Sequence, residues 1–62
     1  MNKSKEVLYD LIDKYTEKIS GRTLMLLHEV NKKQAIKILS EIEETAGKLM
    51  LACKDLKKDM ER

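Results

Sequence analysis

The sequence predicts an all-α protein, an αα-hairpin that dimerises into an antiparallel four-helix bundle. Three observations point to this fold. The 62-residue chain has no proline and two glycines, its frequent Leu, Ile, Lys and Glu residues favour helices, and apolar residues recur at helical spacing in both halves. We expect one domain over residues 1–62, with helix 1 at about 4–30, a turn at about 31–33 and helix 2 at about 34–60.

Helix 1 is predicted to begin after Ser4, a favourable N-cap residue, with Glu6 in the first turn, where the helix dipole favours a negative charge. Gly21 lies inside the apolar pattern. Because Thr23 resumes the same helix face, we expect the helix to continue through the glycine at a cost of about 1 kcal/mol relative to alanine. The heptad-spaced residues of this helix are Tyr9, Ile12, Thr16, Ile19, Thr23, Leu26 and Val30, with Leu8 and Tyr15 widening the row.

Helix 2 carries a row of apolar residues that alternates steps of four and three, the spacing of a coiled coil. Its members are Ala35, Leu39, Ile42, Ala46, Leu49, Cys53, Leu56 and Met60. The rows of the two helices do not join, since Val30 and Leu39 are nine residues apart and a heptad is seven. A continuous helix would turn the second row away from the first. The polar segment 31–34 lies at this phase break, so we place the turn there.

A dimer is predicted because a lone chain of this size buries only about 60% of its unfolded surface. The one cysteine cannot form an internal disulfide, and no Cys/His cluster exists to hold a structural metal. Association of two copies is the remaining source of stability. The predicted core of the dimeric bundle consists of Ile12, Ile19, Leu26, Leu39, Ile42, Ala46, Leu49, Cys53 and Leu56.

Several functional classes are disfavoured by composition. The net charge of +2 gives no strong attraction to nucleic acid or membrane. The longest apolar run, residues 49–53, is far shorter than the roughly 20 residues of a membrane span. No nucleophile–base pair, cofactor motif or metal-ligand spacing is present. We therefore expect a non-enzymatic intracellular protein with no cofactor, no metal, no small-molecule substrate and no membrane association.

Two surfaces are candidate binding sites. Lys14, Lys18 and Arg22 share one helix face and could contact phosphates as a nucleic-acid face. The alternative is an ordinary solvated face, in which Asp10 pairs with Lys14. Met50 and Leu51 extend beyond the predicted core row as a partner-binding edge, although packing within the bundle would also account for them.

The core pattern resembles the Rop (repressor of primer) family of helical hairpins. The resemblance is carried in helix 1 by residues 23–27 with Val30 and Asn31, and in helix 2 by the alternation of large and small residues at Ile42, Ala46, Leu49 and Cys53. It implies a hairpin that dimerises into a four-helix bundle. The chain is also similar in length and composition to small Rop-like proteins of spindle-shaped archaeal viruses, which implies an adaptor role.

The family binds paired RNA loops through helix 1, so the resemblance also implies an RNA-binding face. The corresponding positions here hold Val7, Lys14, Lys18, Arg22 and Glu29, none of which is the family's residue. We therefore expect a homodimeric adaptor or regulatory protein of a virus or plasmid, in the cytoplasm (the host's, if viral), with a macromolecular partner that is protein rather than RNA. The alternative is a Rop-type RNA-binding regulator that uses the basic face of helix 1.

Overall fold

The computed structural model describes residues 4–61 and shows two helices packed against each other as a hairpin, with no strand among those residues. Helix α1 spans Lys5–His28 and helix α2 spans Lys32–Met60. The hairpin measures 47 × 17 × 14 Å, so it is a single thin layer of two helices. The predicted all-helical hairpin is confirmed.

The start of α1 is set by Ser4, as predicted. Its backbone is extended, and its hydroxyl oxygen accepts a hydrogen bond from the Val7 N–H at 3.3 Å. This bond satisfies one of the backbone donors that the first turn leaves unpaired. Glu6 lies in the first turn, and the helix continues through Gly21 without a break, as the pattern of apolar residues predicts.

The turn lies about two residues earlier than the sequence predicts, over 29–31 instead of 31–33. Glu29 leaves the helix with extended backbone angles, and its carboxylate oxygen Oε1 accepts the Asn31 N–H at 3.0 Å. The Oδ1 atom of Asn31 then accepts the N–H groups of Lys33 and Gln34 at 2.9 and 3.2 Å. Asn31 is therefore the N-cap of α2 rather than the first residue of the turn, because its side chain replaces the missing helical bonds.

The contact between the helices is formed by two rows that each repeat every seven residues. Buried apolar side chains are few in the described part of the chain: Leu8, Ile38, Ala52 and Leu56. Thr45 is also buried, with 3% of its surface exposed, and its hydroxyl donates to the Glu41 carbonyl at 2.8 Å. The half-buried residues that complete the contact include Ile12, Tyr15, Ile19, Leu26, Ala35, Ile42 and Leu49.

Half of the predicted row of helix 2 lies in or beside the contact within the single hairpin. Ala35, Ile42, Leu49 and Leu56 lie in or beside the contact, whereas the row is completed by Ile38, Thr45 and Ala52. The predicted members Leu39, Ala46, Cys53 and Met60 are exposed instead. The physical reason is that the apolar stripe of α2 is wider than one helix can cover. Helix α1 covers the row of Ile38, Thr45 and Ala52 and leaves the residue after each of them exposed.

Candidate interaction surfaces

One broad face of the hairpin is uncharged and exposed. On α1 it holds the residues that directly follow Leu8, Tyr15 and Arg22, and on α2 it holds those that directly follow Ile38, Thr45 and Ala52, with Met60 one heptad later. We call this the shared apolar face and define it as Tyr9, Thr16, Thr23, Leu39, Ala46, Cys53 and Met60. All seven are exposed, including Tyr9 at 50%, Leu39 at 46% and Met60 at 54%. Within each helix they recur every seven residues.

The two halves of this face lie on the same side of the hairpin. Successive residues of a helix are about 100° apart, so Tyr9 is rotated by this angle from the buried Leu8, and Leu39 by the same angle from the buried Ile38. Because the helices are antiparallel, equal rotations from the mutual contact move both rows toward the same side. The exposed rows therefore form one continuous surface rather than two opposed ones.

The threonines of this face present methyl groups rather than free hydroxyl donors. Thr16 Oγ1 donates to the Ile12 carbonyl at 2.7 Å, and Thr23 Oγ1 donates to the Ile19 carbonyl at 2.8 Å. Thr45 makes the same bond in the interior of the hairpin, where it is buried. A hydroxyl that is already bonded can be buried without leaving a donor unsatisfied, so both threonines of the face are suited to a dry interface.

The opposite side of the hairpin is polar. We call this side the polar face, because it carries charged side chains. It consists of Val7, Lys14, Gly21 and His28 on α1, and Lys37, Glu44, Leu51 and Lys58 on α2. Lys48 Nζ lies 3.8 Å from Glu44 Oε1 in an exposed i,i+4 pair. The hairpin is therefore amphipathic as a whole, with one uncharged face and one charged face.

The candidate nucleic-acid face is divided by the structure. Lys14 and Lys18 are exposed, but Arg22 is turned toward α2. Its Nε donates to Glu41 Oε2 at 2.9 Å, and the two side chains are 33% and 36% exposed. An arginine neutralised by a carboxylate is a poorer phosphate ligand than a free one. The row of three predicted basic residues therefore contains two exposed lysines and one paired arginine.

Met50 and Leu51 are both exposed, at 55% and 60%, but they lie on different sides of α2. Met50 is four residues after Ala46 and borders the shared apolar face, whereas Leu51 is on the polar face. Leu51 lines a shallow, open depression of about 340 Å³ together with Lys54, Asp55 and Lys58. The predicted partner-binding edge is therefore two separate places: the border of one face and an isolated apolar side chain among charges.

Among residues 4–61 no group of His, Cys, Asp and Glu side chains could hold a metal ion, and Cys53 is a free, exposed thiol. Neither described helix is both long enough and apolar enough to cross a bilayer.

The pattern of the sequence did not single out Ile38, Thr45 and Ala52, which are the centre of the contact. Their spacing of seven residues was the available signal, but it was obscured because the next residue of each repeat is also uncharged.

Comparisons with models of protein families, with curated proteins and with solved structures found no match for this chain.

Proposed function

We propose that this chain is a non-enzymatic adaptor or regulatory protein of a virus or plasmid that works as a homodimer in the cytoplasm. In this proposal two hairpins stack through the shared apolar face into a four-helix bundle, the assembly of the Rop-like hairpins that the sequence resembles. The observation that carries it is the exposure of uncharged side chains every seven residues along both helices, on one side of the hairpin. Heptad-spaced apolar rows are buried against another helix in stable bundles.

The surface area of the hairpin supports association. Its accessible surface is 5242 Å², whereas a compact monomer of 7.2 kDa would expose about 4,100 Å². The excess arises because two helices make one layer and each buries only one side. A second layer would cover the central residues of both helices from the other side, including the half-buried Ile19 and Leu49, and would bring the predicted bundle core together.

The partner surface of such a dimer would be the polar face, since the shared apolar face is occupied by the second copy. On the polar face Leu51 is an exposed apolar side chain in a depression that is also lined by the bases Lys54, Lys57 and Lys58 and the acids Asp55 and Glu61. This combination suits a protein segment that offers an apolar side chain flanked by charged residues of both signs. We infer a protein partner of this chemistry at the depression.

The alternative function is RNA binding through Lys14 and Lys18. It is less well supported because Arg22 is paired with Glu41, and no aromatic side chain lies between the basic residues to stack on a base. The two functions differ in their response to salt, since phosphate contacts weaken steeply as salt increases and contacts to an apolar side chain do not.

Light scattering coupled to size-exclusion chromatography tests the dimer. The wild-type protein at micromolar concentration should have twice the chain mass of 7.2 kDa. Leu39→Glu places a charge in the shared apolar face and should give a monomer or an unfolded chain. Leu51→Glu is the matched control, because it introduces the same charge at an exposed leucine of the same helix on the other face, and it should remain dimeric.

A well-folded monomer for the wild-type protein would contradict the dimer. Pull-down from host lysate with the dimeric Leu51→Glu variant then tests the partner surface. A protein that wild type captures and Leu51→Glu does not would support the adaptor role, whereas equal capture by both would exclude the depression as the partner site.

A further inference from the structure

We infer that the two hairpins of the dimer associate with their turns at the same end of the bundle. This inference rests on the proposed dimer and specifies how the second copy lies on the shared apolar face. Two symmetric arrangements bring that face against itself. A two-fold axis parallel to the helices places both turns at one end, and α1 then packs beside the partner's α2. An axis perpendicular to the helices places the turns at opposite ends, and α1 then packs beside the partner's α1.

The shared apolar face itself fits both arrangements. Thr16 and Ala46 lie near the middles of α1 (Lys5–His28) and α2 (Lys32–Met60). The layer formed by these two small side chains therefore lies at the centre of the bundle in either arrangement. The larger side chains Tyr9 and Leu39 lie on opposite sides of that layer. The distinction must therefore come from the residues that border the face.

The residues that border the face form two flanking rows, again spaced by seven. On α1 they are Glu6, Asp13, Ser20 and Leu27, and on α2 they are Ile36, Glu43, Met50 and Lys57, all exposed. The Arg22–Glu41 ion pair sets the level of the helices, so that a residue of α1 lies level with the residue of α2 whose number is about 63 minus its own. Flanking residues of neighbouring helices meet at the rim of the interface.

With the turns at the same end, each α1 flank meets the partner's α2 flank at the same level. Leu27, which is 73% exposed, then lies beside the partner's Ile36, which is 56% exposed in the single hairpin. At the far end Glu6 lies beside the partner's Lys57. The two rims thus combine apolar with apolar near the turn and acid with base near the termini, and the symmetry repeats both pairs.

With the turns at opposite ends, each flank meets a copy of itself in reverse order. Leu27 would then lie beside the partner's Glu6, and Ile36 beside the partner's Lys57. Each apolar side chain would meet a charged one, and no acid would meet a base. Met50 lies beside an acid in either arrangement, Asp13 or Glu43, so it does not discriminate. The complementarity of the flanks favours the same-end arrangement.

Electrostatic repulsion opposes this arrangement, because the lysines of the two turns are brought to the same end of the bundle. Lys32 and Lys33 are exposed, so water and salt screen their repulsion over about 8 Å at physiological ionic strength. The apolar contact of Leu27 with the partner's Ile36 involves no charge, so salt does not screen it. The contact should therefore outweigh the repulsion at ordinary salt.

Distances between spin labels at the turn test the arrangement. The label is attached at Lys33→Cys in a Cys53→Ala background, and light scattering establishes that the labelled protein is a dimer. Turns at the same end should give a label separation of about 20–30 Å, because the two α2 helices are then diagonal in the bundle, about 11–14 Å apart when neighbouring helices are about 8–10 Å apart, and the label arms add to this distance. Turns at opposite ends should give about 40 Å or more, since α2 has 29 residues at about 1.5 Å each.

Glu17→Cys in the same background is the control, because Glu17 lies near the middle of α1 and its labels should be less than about 30 Å apart in either arrangement. A labelled dimer with a long turn-to-turn distance, or with two populations, would overturn the inference and leave the proposed dimer intact. A monomer in light scattering would overturn both.

A charge exchange tests the same point in the protein with its native cysteine. Glu6→Lys and Lys57→Glu should each weaken the dimer about three- to tenfold, and the double variant should recover most of that loss, as expected for a rim ion pair that occurs twice. An absence of coupling between the two changes would contradict the same-end arrangement, whatever the effect of each single change.

Discussion

The guanidinium of Arg22 joins the two helices through Glu41, with Nε and Oε2 2.9 Å apart. Arg22 Nη1 also lies 3.4 Å from Met25 Sδ. The pair lies in the half of the hairpin near the turn, which also contains the buried side chain of Ile38. It aligns a specific residue of α1 with a specific residue of α2, which apolar side chains do less strictly.

A double-mutant cycle should detect this pair. Arg22→Ala and Glu41→Ala should show a coupling free energy of about 0.5–1 kcal/mol, because the side chains are only partly shielded from water. Urea unfolding of the four proteins at one fixed concentration measures it. The exposed Lys48 and Glu44, 3.8 Å apart, are the control and should show no measurable coupling. Equal coupling in the two cycles would contradict a special role for Arg22.

The cap of α2 should be the most sensitive position of the turn. Asn31→Ala removes the acceptor of two backbone N–H groups and should lower the free energy of unfolding by about 1 kcal/mol. Asn31→Asp keeps the acceptor and should retain most of the stability. Lys32→Ala is the control, since no hydrogen bond of its side chain stabilises the helix start. If Lys32→Ala cost as much as Asn31→Ala, the cap would not be the cause.

Leu8 is the most deeply buried side chain described, with 2% of its surface exposed. Leu8→Ala should therefore cost about 2–5 kcal/mol, which is a large fraction of the stability available to a protein of this size. Leu24→Ala makes the same change in the same helix at a side chain that is 60% exposed, and should cost less than about 0.5 kcal/mol. Loss of the helical circular-dichroism signal in urea measures both. Similar costs would mean that the helices contact each other through a different face.

Replacing either glycine with alanine should stabilise the protein. A Cβ atom added at Gly21 or Gly47 would meet nothing within 4 Å, and both residues lie inside helices. Alanine at either position should raise the free energy of unfolding by about 0.5–1 kcal/mol, because glycine loses more backbone freedom on folding. Neither residue belongs to the shared apolar face, so the dimer mass should not change. A destabilising effect of Gly47→Ala would indicate that a partner helix approaches α2 at this point.

RNA binding should be weak and should not depend on Lys14 and Lys18. Fluorescence anisotropy with labelled paired RNA loops at about 50 and 200 mM salt covers the range over which phosphate contacts weaken steeply. We expect no specific binding, and no difference between wild type and a Lys14→Glu, Lys18→Glu double variant. Arg22 is left unchanged so that its ion pair with Glu41 is retained. Tight binding that is lost in the double variant would favour the RNA-binding alternative over the adaptor.

The helices and the N-cap at Ser4 could be predicted because they depend on local chemistry: helix propensity, capping and apolar spacing. The turn was predicted about two residues too late, because Asn31, Lys32 and Lys33 are all polar. Composition does not distinguish a capping side chain from a solvated side chain within a helix. The bond from Asn31 Oδ1 to the Lys33 N–H makes that distinction.

The contact face was harder to predict for a different reason. Helix α2 has uncharged residues at two adjacent sets of heptad positions, exemplified by Thr45 and Ala46. Periodicity alone does not tell which of the two sets faces the other helix. Only the position of α1 shows that Thr45 is buried while Ala46 is exposed. The same limit applies to Arg22, whose spacing from Lys14 and Lys18 suggests a common surface although its partner is 19 residues away in the chain.

The connection between the helices contains no glycine, and no residue in the described part of the chain has a positive φ. Glu29 and Asn31 both adopt extended angles that any residue except proline tolerates without strain, and the intervening Val30 is 99% exposed. Apart from the capping side chain at position 31 and the Glu29 carboxylate that accepts the Asn31 N–H, the backbone of this connection therefore requires no particular amino acid. Such a hairpin can drift far in evolution, since its architecture is preserved by the interval between apolar positions and not by the identity of the amino acids that occupy them. Distant relatives would be recognised by that interval and by a cap at the start of the second helix.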